Sequence, residues 1–138
     1  MKAPDNLEFM EGYCRYRLSG HGSLPEAATK VIEVIAFCKK QGIRRLLVDV
    51  TNWTGHEKPS AAERFDWGEM FAAAAGPTVK AALVARRELM DPEKFEVTVA
   101  TNRGMVGNVF DSEKDALEWL LKSAGQESVD RRWEQKKS

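Results

Sequence analysis

The side chains able to do chemistry in this chain are few and far apart. His21 and His56 fall in loop-like stretches with no HExxH, CxxC or carboxylate–histidine spacing around them, so they read as exposed loop histidines and no metal site is expected. Cys14 and Cys38 are the only cysteines, one in a strand-like and one in a helix-like stretch. They predict buried free thiols in a reducing compartment rather than a disulfide framework. No GxSxG elbow, phosphate loop or GxGxxG fingerprint is present, and Gly20, Gly22, Gly104 and Gly107 are too scattered to cradle a phosphate. The expectation is a protein with no enzymatic chemistry and no cofactor.

Four further places could take part in binding. Asp49 sits near the end of an apolar run, where an aspartate serves as a buried acid or metal ligand, or accepts hydrogen bonds from the amides of the next loop; the second role is expected. Ser60 opens the run Ser60-Ala61-Ala62-Glu63, the spacing of a helix capping box. Arg103 follows a helix-like segment, where it can meet an anionic ligand or partner, or close a salt bridge at a helix C-terminus, and the helix dipole favours the salt bridge. Trp53 and Thr54, with Trp67, Met70 and Phe71, gather tryptophan and methionine around a strand end. Such a set suits an apolar ligand, a protein interface or ordinary core packing.

The elements that must position these residues follow from periodicity and caps. Leu7 to Gly20 reads as a hairpin turning at Glu11-Gly12, with Cys14, Tyr16 and Leu18 on the core side and Tyr13, Arg15 and Arg17 on the other. Ser23-Leu24-Pro25-Glu26 starts a helix that runs to about Gln41, buries Ala28, Val31, Ile32, Ile35 and Cys38, and stops at Gly42. Leu46, Leu47, Val48 and Val50 form a strand buried on both faces, followed by a polar turn from Thr51 to Gly55. A second helix follows from Ser60 to Ala75 and ends at Gly76-Pro77. Its apolar residues lie along two lines, Phe65-Gly68-Ala72-Ala75 and Trp67-Met70-Phe71-Ala74, more than one sheet face can cover.

Val79 to Ala85 is the second central strand, ending at Arg86-Arg87-Glu88. Asp91-Pro92 predicts a helix start with Phe95 and Val99 on one face and a stop at Gly104. A short strand from Met105 to Phe110 and a helix from Glu113 to Ala124, capped by Asp111 or Ser112 and burying Ala116, Leu117, Leu120 and Leu121, complete the pattern. Residues 1–125 make one domain and 126–138 a frayed or partly helical tail.

At 138 residues one core suffices. Lysine plus arginine and aspartate plus glutamate number 21 each, so charge gives no call for nucleic acid or an anionic membrane. No apolar run reaches about 18 residues, and no apolar stretch of a leader opens the chain, which predicts a soluble cytoplasmic protein without membrane insertion.

The order hairpin, helix, strand, helix, strand, helix, strand, helix resembles the STAS and SpoIIAA-like family of anti-sigma factor antagonists, over about Tyr13 to Lys122. The resemblance is carried by YRLSG, GIRRLLVDVTNWTG, VKAALVA and above all ATNRGMVGNVFDSEKDALEWLLK, which is most similar to the uncharacterised SpoIIAA-like branch. It implies a single α/β domain with a mixed sheet of four or five strands, and a switch serine in a DSSG-like motif after the central strand. Glu57-Lys58-Pro59-Ser60 stands in that place here, without the motif. The expected function is a non-enzymatic regulatory or protein-interaction module, binding a protein partner or a second copy of itself through 51–59 and the second helix. The alternative is a carrier or sensor of a small apolar ligand held between that helix and the sheet. A cavity favours the carrier, and a flat exposed aromatic patch favours the partner.

Overall fold

Among the described residues, five strands pair in the order in which they occur along the chain. They are β1 (Leu7–Phe9), β2 (Cys14–His21), β3 (Arg45–Thr54), β4 (Lys80–Val84) and β5 (Val106–Phe110). The computed structural model describes residues 2–122. β1 runs antiparallel to β2, while β2 to β5 are parallel. Parallel neighbours need long crossovers, and three helices supply them: α1 (Leu24–Gln41), α2 (Ala61–Ala75) and α3 (Phe95–Asn102). Crossovers of this kind are right-handed almost without exception, so strands laid down in sequence order carry their helices on one face. α4 (Glu113–Leu120) follows the last strand and covers the other face.

The core divides accordingly. Leu46 and Val48 of β3 pack with Val31, Val34, Ile35 and Cys38 of α1 and with Ala72 and Ala75 of α2. Leu47 packs on the opposite side with Ala82 and Val84 of β4 and with Ala116 and Leu120 of α4. β3 is thus buried on both faces, as its unbroken apolar run predicts. The hairpin follows the expected alternation, with Cys14, Tyr16 and Leu18 buried. Cys14 and Cys38 are both buried free thiols.

Local signals set the helix starts. Ser23 Oγ accepts from Glu26 N at 3.2 Å while Glu26 Oε1 accepts from Ser23 N at 2.8 Å. The same reciprocal pair joins Ser60 and Glu63 at 3.1 and 2.9 Å. Gly42 ends α1 in the left-handed region, with φ +76°, where a side chain is disfavoured. Ser112 caps α4, its hydroxyl accepting from Asp115 N.

Four expectations need correction. The polar turn placed at 51–55 is instead a continuation of β3 to Thr54. α3 begins at Phe95 rather than at Asp91-Pro92: residues 91–94 first form a tight turn with Lys94 at φ +52°, and the Asp91 carboxylate accepts from Phe95 N at 2.9 Å. Ile32 is half-buried, the inner face of α1 being filled by Ala27, Val34 and Phe37 as well. Leu121 is 44% exposed because α4 stops one residue earlier. The expected end of that helix at Ala124, the stop at Gly125 and the tail lie outside the described residues. Among the described residues no helix is long and apolar enough to cross a membrane.

Candidate functional site

A bulge in β3 decides where the first site residue goes. Arg17 pairs with Asp49 and Ser19 with Asn52, so two steps along β2 match three along β3. The extra residue reverses the alternation, and Trp53 falls on the same face as Leu46 and Val48. Trp53 is 5% exposed, its Nε1 donating to the Ser23 carbonyl at 3.2 Å. Its ring presses on the β2–α1 connection so closely that a β-carbon at Gly22 would lie 2.8 Å from Cζ2. It belongs to the core and not to an exposed aromatic surface. Thr54, next to it, is exposed and ties β3 to β2, its hydroxyl donating to the Gly20 carbonyl at 3.2 Å.

The remaining sequence candidates separate in space. Trp67 and Phe71, one helical turn apart on α2, are half-buried and face inward with Trp53. Met70 lies between them in sequence but is 42% exposed on the outer side of α2. Asp49 accepts from Thr51 N at 2.9 Å and from Thr51 Oγ1 at 2.7 Å, the expected role of closing a local turn. Ser60 is held in its capping box. Arg103 forms a salt bridge with Glu69 of α2, its guanidinium 5.7 Å from the centre of the Phe65 ring. His21 sits against Gly55 with Nδ1 3.3 Å from Thr54 Oγ1, and His56 Nδ1 lies 2.9 Å from the Glu57 carbonyl.

Trp53, Trp67 and Phe71 meet at a cavity of about 100 Å³ between α1, α2 and the C-terminal halves of β3 to β5. Val31, Val50 and Leu83 are among its other apolar walls, and His56, Arg64, Arg86 and Glu96 are the polar residues of its lining. It lies beyond the carboxyl ends of parallel strands, where open α/β sheets bind their ligands. A larger cleft of about 580 Å³ opens at the opposite ends of the strands. Lys80 within it donates to the Trp119 and Lys122 carbonyls and lies 4.5 Å over the Trp119 ring, which fixes the end of α4.

Two arginines at the cavity went unread in the sequence. Arg64 is 5% exposed; Nη2 donates to the Leu89 carbonyl at 2.8 Å and Nη1 to Glu96 at 3.3 and 3.4 Å. It therefore braces α2 against α3 and the 3₁₀ turn Arg87–Leu89. A signal for it existed, since Arg64 stands four residues before Gly68 and eight before Ala72, on the small-residue line that packs inward. Arg86 follows β4 after Ala85, and its Nε is buried without a hydrogen-bond partner among the described residues. Leaving a buried donor unpaired costs about 1–3 kcal/mol, more for a charged group. Its Nη1 forms a long salt bridge with Glu88 at 3.9 Å, and the side chain as a whole is 37% exposed.

The cavity offers apolar enclosure and a few donors rather than a reacting constellation. Among the described residues no three His, Cys, Asp or Glu side chains gather to hold a metal. No protein-family model matches the chain, and no curated protein is significantly similar to it.

Proposed function

We propose that the protein is a non-enzymatic binding module that holds a small apolar molecule as a carrier or sensor. The observation that carries this is the convergence of Trp53, Trp67 and Phe71 on one apolar cavity at the carboxyl ends of the parallel strands. At about 100 Å³ it is smaller than the few hundred Å³ typical of larger ligands, and smaller too than the cavity of about 150 Å³ that encloses benzene. The ligand class is therefore a short alkyl chain, or a single ring seated only partly inside, since the cavity is open on one side. The mixed five-stranded sheet and its four helices support the STAS and SpoIIAA-like resemblance as the scaffold of this function.

Toluene is the probe. Wild-type protein should melt at a higher temperature in toluene-saturated buffer, because a ligand bound only by the folded state stabilises it by mass action. Ala28→Phe, which fills the cavity from α1, should lose that increment while remaining folded. Native mass spectrometry of freshly purified protein should show an added small mass. Absence of both the toluene increment and any added mass would end the carrier reading.

A second reading rests on a different observation. Phe65, Met70 and Phe95 are 38%, 42% and 40% exposed, and the Phe65 and Phe95 rings stack at 6.5 Å across α2 and α3. This exposed apolar surface supports a regulatory module that docks a protein partner or a second copy of the chain. Such docking would proceed without the phosphoserine motif, since Ser60 is already committed to capping α2.

A further inference from the structure

We propose that the cleft at the amino ends of the parallel strands binds an organic phosphate, with the phosphoryl group on Arg44 and Arg45. The proposal is independent of the carrier reading, whose cavity lies at the other ends of the strands. Arginine pairing singles the cleft out. Six of the eight described arginines, Arg15, Arg17, Arg64, Arg86, Arg87 and Arg103, form salt bridges with carboxylates. Arg44 and Arg45 form none among the described residues, yet they are adjacent at the start of β3 and both line the cleft. A guanidinium has only donors, so two such groups in one cleft call for an acceptor.

Charge and size define that acceptor. Lys80 and Lys122 also line the cleft, and among the described residues its lining holds no carboxylate. Lys80 is buried, its ammonium donating to the Trp119 and Lys122 carbonyls, so it adds positive potential without being needed as a contact. The carbonyl ends of α1 and α2 do not account for the arginines, because other lysines serve them. Lys39 and Lys40 occupy the last turn of α1, and a β-carbon at Gly76, which caps α2, would lie 3.4 Å from Lys39 Nζ. Four cations without an acid suit a group of two negative charges, and a phosphate monoester presents them on oxygens that accept paired hydrogen bonds from guanidinium edges. At about 580 Å³ the cleft has room for more than the phosphoryl group, and Tyr13, Ile43 and Pro77 offer apolar surface to an organic body.

Phenyl phosphate, phenyl sulfate and phenol share a ring and carry about two, one and no negative charges at pH 8, so titrating each into the full chain tests the proposal. The backbone amides of Arg44, Arg45, Thr78 and Lys80 in a ¹⁵N correlation spectrum report binding at this cleft apart from any in the cavity. Phenyl phosphate should move them with a Kd of about 1 mM or tighter, about tenfold or more below that of phenyl sulfate, and phenol should leave them in place. Arg44→Gln and Arg45→Gln should each weaken phenyl phosphate about tenfold, whereas Arg17→Gln, outside the cleft, should not change its affinity. The wild-type titrations decide the matter even if a variant does not fold. Equal affinities for the phosphate and the sulfate would overturn the assignment, as would a phenol response equal to either. Amides that hold still with phenyl phosphate would overturn it too, including where Glu127, Asp130 or Glu134, beyond Lys122, already supplies the arginines with a carboxylate.

Discussion

Ser60 shows how a single side chain can look like a switch and act as a cap. Its hydroxyl accepts from Glu63 N while the Glu63 carboxylate accepts from Ser60 N, so both oxygen groups are occupied within the first turn of α2. Ser60→Ala should lower stability by about 1 kcal/mol, whereas Ser60→Asp, an equally good cap, should leave it nearly unchanged. Urea melts of the three proteins measure this, and a loss in the aspartate variant as large as in the alanine variant would contradict the capping role. Cys38 tests burial by a different route. Enclosure between α1 and the sheet, with Cys14 close by, pushes its thiol up to about 12 from an ordinary 9.0. The folded protein therefore keeps this proton over a range in which the unfolded chain has lost it. That stability is complete below pH 9 and disappears as the pH rises towards about 12. Cys14 and Tyr16 shift upward by burial as well, so Cys38→Val should flatten part of the alkaline decline in urea midpoint rather than all of it. Identical declines in the two proteins would show that Cys38 ionises as readily folded as unfolded.

The packing of α2 on α3 depends on a residue that has no side chain. A β-carbon at Gly68 would lie 2.7 Å from Val99 Cβ and 2.8 Å from the Glu96 carbonyl, and a backbone oxygen cannot swing aside. Gly68→Ala should therefore destabilise by about 1–3 kcal/mol, although alanine is the better helix former. If thermal melts show the substitution to be neutral or stabilising, the two helices are not held this closely. Leu47→Ala and Leu120→Ala, at fully buried positions of β3 and α4, should each cost about 2–5 kcal/mol. These positions were legible in the sequence because their signals are local: an unbroken apolar run for β3, a capping box for α1 and for α2, and the Ala116–Leu120 spacing for α4. Trp53 was not, because the bulge that turns it inward is set by pairing with β2, some thirty residues earlier in the chain. For Arg64 only its place on the inward line of α2 was legible; its partners Leu89 and Glu96 reach it only after α3 and the 3₁₀ turn have packed. Asp91 was read as the cap of α3; its carboxylate does accept from an amide of the first turn, but across a left-handed residue that delays the helix.

The two functional readings occupy opposite sides of α2, and that separation lets one pair of substitutions tell them apart. Trp67 faces the cavity, so Trp67→Ala removes an aromatic wall and should both lower stability and weaken toluene binding. Met70 faces out and takes no part in the cavity lining, so Met70→Glu should change stability by no more than about 0.5 kcal/mol and leave the toluene increment in melting temperature intact. If the outer face of α2 joins two copies of the chain, the same glutamate places two charges in an apolar contact related by a two-fold axis. Size-exclusion chromatography with light scattering should then show wild-type dimers and Met70→Glu monomers at equal concentration. Wild-type protein that elutes as a monomer, or dimers that persist in the variant, would remove self-association through Met70. The cavity would remain, because its walls come from α1, α2 and the sheet of a single chain and need no second copy to form.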